Sequence, residues 1–148
     1  PQITTIQVVD TLEEVVRDSD IVTYCNSNET GDVSTYPEVK REWVKPGCFL
    51  SMPAYCRLDD AMEQDDVRKV LDNTGLYQAW FEEVPKPAHK YIPIIGARFM
   101  DMVEEGKMTM DQIEDLGPIC AGASPGRQNE EEIETVFFTP FYPTYYSI

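Results

Sequence analysis

The chain alternates short apolar runs with polar breaks, and the runs are of two kinds. Ile6-Gln7-Val8-Val9, Asp20-Ile21-Val22-Thr23-Tyr24-Cys25 and Cys48-Phe49-Leu50-Ser51-Met52 are short, β-branched or aromatic, and bounded by turn residues, which predicts strands. The second of these is apolar for most of its length, so the expectation is a strand covered on both faces. Leu76-Tyr77-Gln78-Ala79-Trp80-Phe81, stopped by Pro85-Lys86-Pro87, reads as a further strand.

Helical spacing appears in fewer places. Thr11-Leu12-Glu13-Glu14 is a capping box, in which the threonine oxygen accepts the Glu14 N–H while the Glu14 carboxylate reaches back. Leu12, Val15 and Val16 then fall at helical spacing and predict one apolar stripe. Asp60 to Leu71 is acidic and helix-like. A helix is expected from about Pro93 to Glu105, with Ile95, Phe99, Met102 and Val103 on its apolar face and Gly106 ending it. Thr109-Met110-Asp111-Gln112 is a second capping box, expected to open a short helix that turns Ile113 and Leu116 inward. The tail carries Thr135-Val136-Phe137-Phe138. Strands alternating with helices predict an α/β class with a mostly parallel sheet.

Composition narrows the partners. The 148 residues are one domain in length, and the net charge is −15, from 27 acids against 12 bases. That balance argues against nucleic acid, whose binding rests on Lys and Arg, and against anionic membranes. No apolar run is long enough to span a bilayer. Cys25, Cys48, Cys56 and Cys120 are widely spaced, two of them in predicted strands, so reduced packing thiols in a cytoplasmic protein are expected. Pro1 stands where a methionine would, which suggests a processed or truncated chain.

Chemistry-bearing residues form no obvious constellation. His89, the single histidine, sits in Pro87-Ala88-His89-Lys90, a surface loop by its composition. Cys56 has Arg57 beside it, which would favour a thiolate. Asp59-Asp60, Glu63 and Asp65-Asp66 lack the spacing of a calcium loop and fit the solvated first turn of a helix, as do Glu130-Glu131-Glu132. No metal site is expected. The glycines of Ala121-Gly122-Ala123-Ser124-Pro125-Gly126 match neither a Walker loop nor a dinucleotide fingerprint.

Four segments in order resemble the ornithine cyclodeaminase/mu-crystallin family: Ser19-Asp20-Ile21-Val22-Thr23, Val44-Lys45-Pro46-Gly47-Cys48-Phe49-Leu50, Asp115-Leu116-Gly117-Pro118-Ile119-Cys120-Ala121-Gly122, and Gly126-Arg127 through Thr135-Val136-Phe137. The resemblance reaches to about Pro140. It implies a partial Rossmann-like sheet, doubly wound and mostly parallel, that lacks its first two strands. Residues 1–148 would be the distal part of a nicotinamide-dinucleotide-binding domain, with a return segment from about 88 to 148.

In such a sheet Ile6-Val9 would have no native neighbour within the chain. The resemblance further implies NAD or NADP as cofactor, an amino acid or imine as substrate, and a homodimer. By position it assigns Asn26, Pro53, Ala54, Tyr55 and Thr139 to the cofactor, and Cys56 to the place of a catalytic aspartate. A cofactor-contacting lysine of the family falls at Asp60. Two functions follow as expectations. One is part of an NAD(P)-dependent oxidoreductase or deaminase, inactive as this piece alone. The other is a non-catalytic cofactor-binding or accessory subunit, mu-crystallin-like or attached to an amine oxidase, and the missing aspartate motivates it.

Overall fold

The computed structural model describes residues 3–26, 32–54, 56–59, 63, 66–92 and 94–137. Five parallel strands form the central sheet: β1 (Ile21–Thr23), β3 (Phe49–Met52), β5 (Val67–Leu71), β6 (Ile113–Asp115) and β7 (Ile133–Phe137). Their order is β1-β3-β7-β5-β6, so the last strand in sequence inserts at the centre. A two-stranded parallel ladder, β2 (Glu38–Val39) with β4 (Arg57–Leu58), lies in the connections on either side of β3. The helices are α1 (Leu12–Val16), α2 (Thr74–Glu83), α3 (Ile95–Glu104) and α4 (Leu116–Cys120).

Register and alternation sort the side chains onto two faces. Val22 pairs with Leu50, Leu50 with Thr135, Met52 with Phe137, and Phe137 with Leu71. These residues therefore share one face, and all are buried. Phe99 of α3, fully buried, meets Phe137 edge-on at 5.4 Å on that face. Helix α3 also presses against α2. A Cβ at Gly96 would lie 2.1 Å from Tyr77 Cε1, so only glycine permits this approach. The opposite face carries Ile21, Phe49, Glu134, Arg68 and Glu114. There Arg68, nearly buried, bonds both Glu114 oxygens at 2.6 Å and the Pro125 carbonyl at 2.6 Å. Glu134 and Glu132 stand 3.9 and 4.0 Å from the same guanidinium.

Several elements differ from the sequence reading. Leu76–Phe81 lies within α2, not a strand: Asn73 caps the helix by accepting from Leu76 N at 3.3 Å, and Tyr77 supplies its buried contact. Within the stretch read as helix-like, Val67–Leu71 is β5, flanked on both sides by strands. The second capping box forms, but it closes only a single 3₁₀ turn, Met110–Gln112, and Ile113 begins β6. The first capping box forms as expected, at 3.1 and 3.2 Å. Its helix buries Val16, yet Val15 is 46% exposed, so the apolar stripe is only partly used. Helix α3 matches its expected span, with Pro93 outside the described residues.

Of the two edge strands, β6 is largely covered and β1 is the exposed one. β1 pairs only with β3 among the described residues, and Ile21 is 68% exposed, so this strand is not covered on both faces. Residues 6–9 join no strand ladder, and Ile6 and Val8 stand exposed. The strand predicted over Ile6–Val9 thus does not form, and the segment has no neighbour in the sheet among the described residues. Cys48 and Cys56 are buried packing thiols, whereas Cys25 and Cys120 are exposed. No described helix is long and apolar enough to cross a membrane.

Candidate functional site

In open parallel sheets ligands bind outside the carboxyl ends of the strands. Here β1 and β3 end side by side: Thr23 pairs with Ser51, and Tyr24 N donates to Ser51 O at 2.9 Å. Asn26 therefore follows one strand end while Pro53 and Ala54 follow its neighbour. β7 ends beside them, with Phe137 paired to Met52. The structure thus brings Asn26, Pro53 and Ala54 to one rim. Tyr55, Asp60 and Thr139 lie outside the described residues.

Cys56 sits just beyond this rim and is 3% exposed. Its Sγ lies 3.5 Å from Met52 Sδ, and burial pushes its thiol up to about 12. At neutral pH the sulfur keeps its proton. Arg57 does not favour a thiolate there: it faces Glu38 at 3.3 Å and donates to the Tyr36 carbonyl at 3.3 Å. The backbone of the same residue bonds Pro37 O at 2.8 Å, and the β2–β4 ladder follows.

Two polar groups at or near the rim escaped the sequence reading. The Tyr24 side chain is 5% exposed, and its hydroxyl has no hydrogen-bond partner among the described residues. Burial, with the nearby Cys56 and Cys48, raises its pKa. Asp72 follows β5. Its N–H donates to Phe137 O at 3.0 Å, and its carboxylate accepts from Tyr77 OH and Asn73 N, each at 3.0 Å. A residue directly after a predicted strand would have drawn attention to Asp72, but that segment did not read as a strand.

His89 is not a free surface residue. Its ring Nδ1 pairs with the Asp101 carboxylate, which also accepts from Ala88 N at 2.6 Å and His89 N at 2.9 Å. Asp101 is 3% exposed. Burial raises its carboxyl, but the His89 and Ala88 donors outweigh that and hold it below the usual range. This arrangement latches the 3₁₀ turn Ala88–Lys90 onto α3. The acids expected to be solvated are partly engaged as well: Glu63 pairs with Arg98, and Asp66 with Arg41. No metal-binding group of His, Cys, Asp or Glu occurs among the described residues.

The rim suits one part of a dinucleotide. Proline, alanine and an amide offer a nearly uncharged wall of the sort that borders an aromatic ring or a ribose. A pyrophosphate needs backbone N–H groups at a helix N-terminus or a cation. Among the described residues the ends of β1 and β3 supply neither: Arg57 is committed to Glu38 and Tyr36, and the helix N-terminus after β5 is capped by Asn73 and Asp115. By their chemistry the residues after β1 and β3 fit an uncharged ring or ribose and not a phosphate.

The solved structures share this architecture. Thermococcus litoralis Δ1-pyrroline-2-carboxylate reductase, in complex with NADH and L-proline, superposes with a TM-score of 0.58 at 21% identity over 88% of this chain. An archaeal alanine dehydrogenase dimer with bound NAD gives 0.52 at 23% identity over 90%. At such identities the likeness establishes the fold, and this chain spans only 36% of the length of either structure. No functionally curated protein matches it. The family comparison covers residues 2–139, nearly the whole sequence. The four ordered motifs, the parallel sheet open at β1 and this match together make the chain a member of the ornithine cyclodeaminase/mu-crystallin family.

Proposed function

We propose that the chain is the distal part of a nicotinamide-dinucleotide-binding domain, residues 88–148 being its return segment. The parent protein is an NAD(P)-dependent oxidoreductase or deaminase acting on an amino acid or imine in the cytoplasm, as a homodimer. The juxtaposition of Asn26 with Pro53 and Ala54 on adjacent strand ends carries this reading. The family resemblance assigns Tyr55 and Thr139, both outside the described residues, to the same cofactor. When bound, the dinucleotide supplies hydride transfer, and this chain supplies a dry, uncharged surface against its ring.

The same rim shapes what chemistry the parent performs. A general base needs a pKa near the working pH. The thiol of Cys56, pushed up to about 12, does not meet that requirement. Cyclising deamination is therefore disfavoured relative to hydride transfer, in which the cofactor carries the difficult step. This feature also favours a second reading, a cofactor-binding or accessory subunit without turnover. Titration of the full-length protein with NADH and NADPH, followed by assays of amino acids and imines at the nicotinamide band, separates the two. Turnover supports the enzyme, binding without turnover supports the accessory subunit, and no binding removes both.

A further inference from the structure

Between the rim and β5 the described residues are 56–59, 63 and 66, and groups from elsewhere in the chain bond Asp59, Glu63 and Asp66. Arg41 takes both ends. Its N–H donates to Asp59 Oδ2 at 3.1 Å, and its Nε and Nη2 donate to Asp66 Oδ2 at 3.0 and 2.7 Å. Asp59 N donates in turn to Val39 O at 3.0 Å. Between these ends, Arg98 of α3 grips Glu63 with a two-pronged pair: Nε to Oε1 at 3.0 Å and Nη2 to Oε2 at 3.1 Å. Glu63 N donates to Asp59 O at 3.3 Å, which passes the restraint back toward Cys56.

The Arg98–Glu63 pair differs from the surface pairs of this acidic chain. Its side chains are 23% and 13% exposed, against 49% and 46% for Arg17–Glu13. The geometry is the planar fork that a lysine cannot reproduce. Its anchor is firm as well, because α3 buries Phe99, Met100, Asp101 and Met102 in the core.

We infer that Arg98 is a positioning residue for the rim, acting through Glu63 and Asp59 to set where Pro53, Ala54 and Cys56 stand. The inference rests on the dinucleotide reading of that rim. Among the described residues the Arg98 guanidinium pairs with Glu63 and Glu105 and with no rim residue, and a remote residue that fixes a binding wall alters affinity by displacing the wall.

The test uses the full-length protein with NADH as the probe, together with hydrogen–deuterium exchange over residues 56–59. Arg98→Gln and Glu63→Gln should each weaken NADH binding roughly tenfold and speed exchange at 56–59. Arg98→Lys should recover only part of the loss, and the exchanged pair Arg98→Glu with Glu63→Arg most of it. Arg17→Ala, which removes an exposed pair, should change neither readout. A folded Arg98→Gln protein with wild-type affinity and wild-type exchange would overturn the inference and leave Arg98 a staple for stability alone. Failure of the wild type to bind NADH would instead overturn the dinucleotide reading, and the exchange comparison would still decide whether Arg98 holds the segment. If Arg98→Gln does not fold, recovery of NADH affinity in the exchanged pair, relative to Glu63→Gln alone, supports the inference, and no recovery overturns it.

Discussion

β1 and β6 are both edge strands, but the β5–β6 flank is largely covered while the β1 flank is exposed. Around β5 the strand has neighbours on both sides, α2 and α3 cover one face, and Arg68 gathers three glutamates on the other. Around β1 one edge is open, Ile21 is exposed, and the preceding apolar residues Ile3, Ile6 and Val8 are exposed too. The candidate site lies toward the exposed side. The buried core thus serves as the platform, and the rim after β1 and β3 lies beside the exposed edge.

The largest expected effect breaks or upholds this contrast directly. Phe99→Ala empties the core against Phe137 of the central strand β7 and should cost about 3–5 kcal/mol in urea unfolding. Ile21→Ser on the open flank should change stability by no more than about 0.5 kcal/mol. Comparable losses at both sites would mean that β1 is covered in solution.

A smaller effect sharpens the description of the covered flank. Asp101→Asn weakens the latch on Ala88 and His89 and should cost about 1–3 kcal/mol at neutral pH. Because folding lowers this carboxyl, its contribution is present above the unfolded carboxylate pKa. It is lost as pH falls through the lower folded value. Wild type and variant should therefore converge in strong acid, and a constant gap down to that range would show that the carboxylate charge is not what holds the turn.

The rim responds to base instead. Folding raises both the Cys56 thiol and the Tyr24 hydroxyl, so their contributions are intact below the unfolded values and fade as pH climbs toward the folded ones. Stability should decline from about pH 9 upward, where an ordinary thiol begins to ionise. Cys56→Val should make that decline shallower in pH-dependent thermal melts, and an unchanged slope would mean the thiol is not buried. The smallest effect belongs to Tyr24→Phe. Removing a buried hydroxyl that has no partner among the described residues should leave stability unchanged or raise it by about 1 kcal/mol. A clear loss would reveal a partner for that hydroxyl.

How far the sequence could be read depended on the range of the interaction involved. The Thr11–Glu14 box and the span of α3 rest on contacts within one or two turns, and both were legible. Leu76–Phe81 failed because a continuous apolar run has no telling period, although Asn73 ahead of it was a usable cap signal. Val67–Leu71 failed because preceding acids imitate a helix start, while its strand character comes from neighbours far off in sequence. The placing of β7 between β3 and β5 is wholly non-local and left no mark on the pattern. At the site, the positions Asn26, Pro53 and Ala54 came from family likeness and not from residue chemistry. The burial of Cys56, the turning of Arg57 to Glu38 and the Asp101–His89 pair are products of packing that no short motif encodes.

The central claim is that the strand ends after β1 and β3 form the wall of a dinucleotide cleft. Hydrogen–deuterium exchange of the full-length protein, with and without saturating NADH, tests it most directly. The account predicts added protection at residues 24–26 and around 54–59, and none at 113–120 on the covered flank. Saturation by NADH with protection confined to 113–120, or with no change at 24–26 and 54–59, would contradict it.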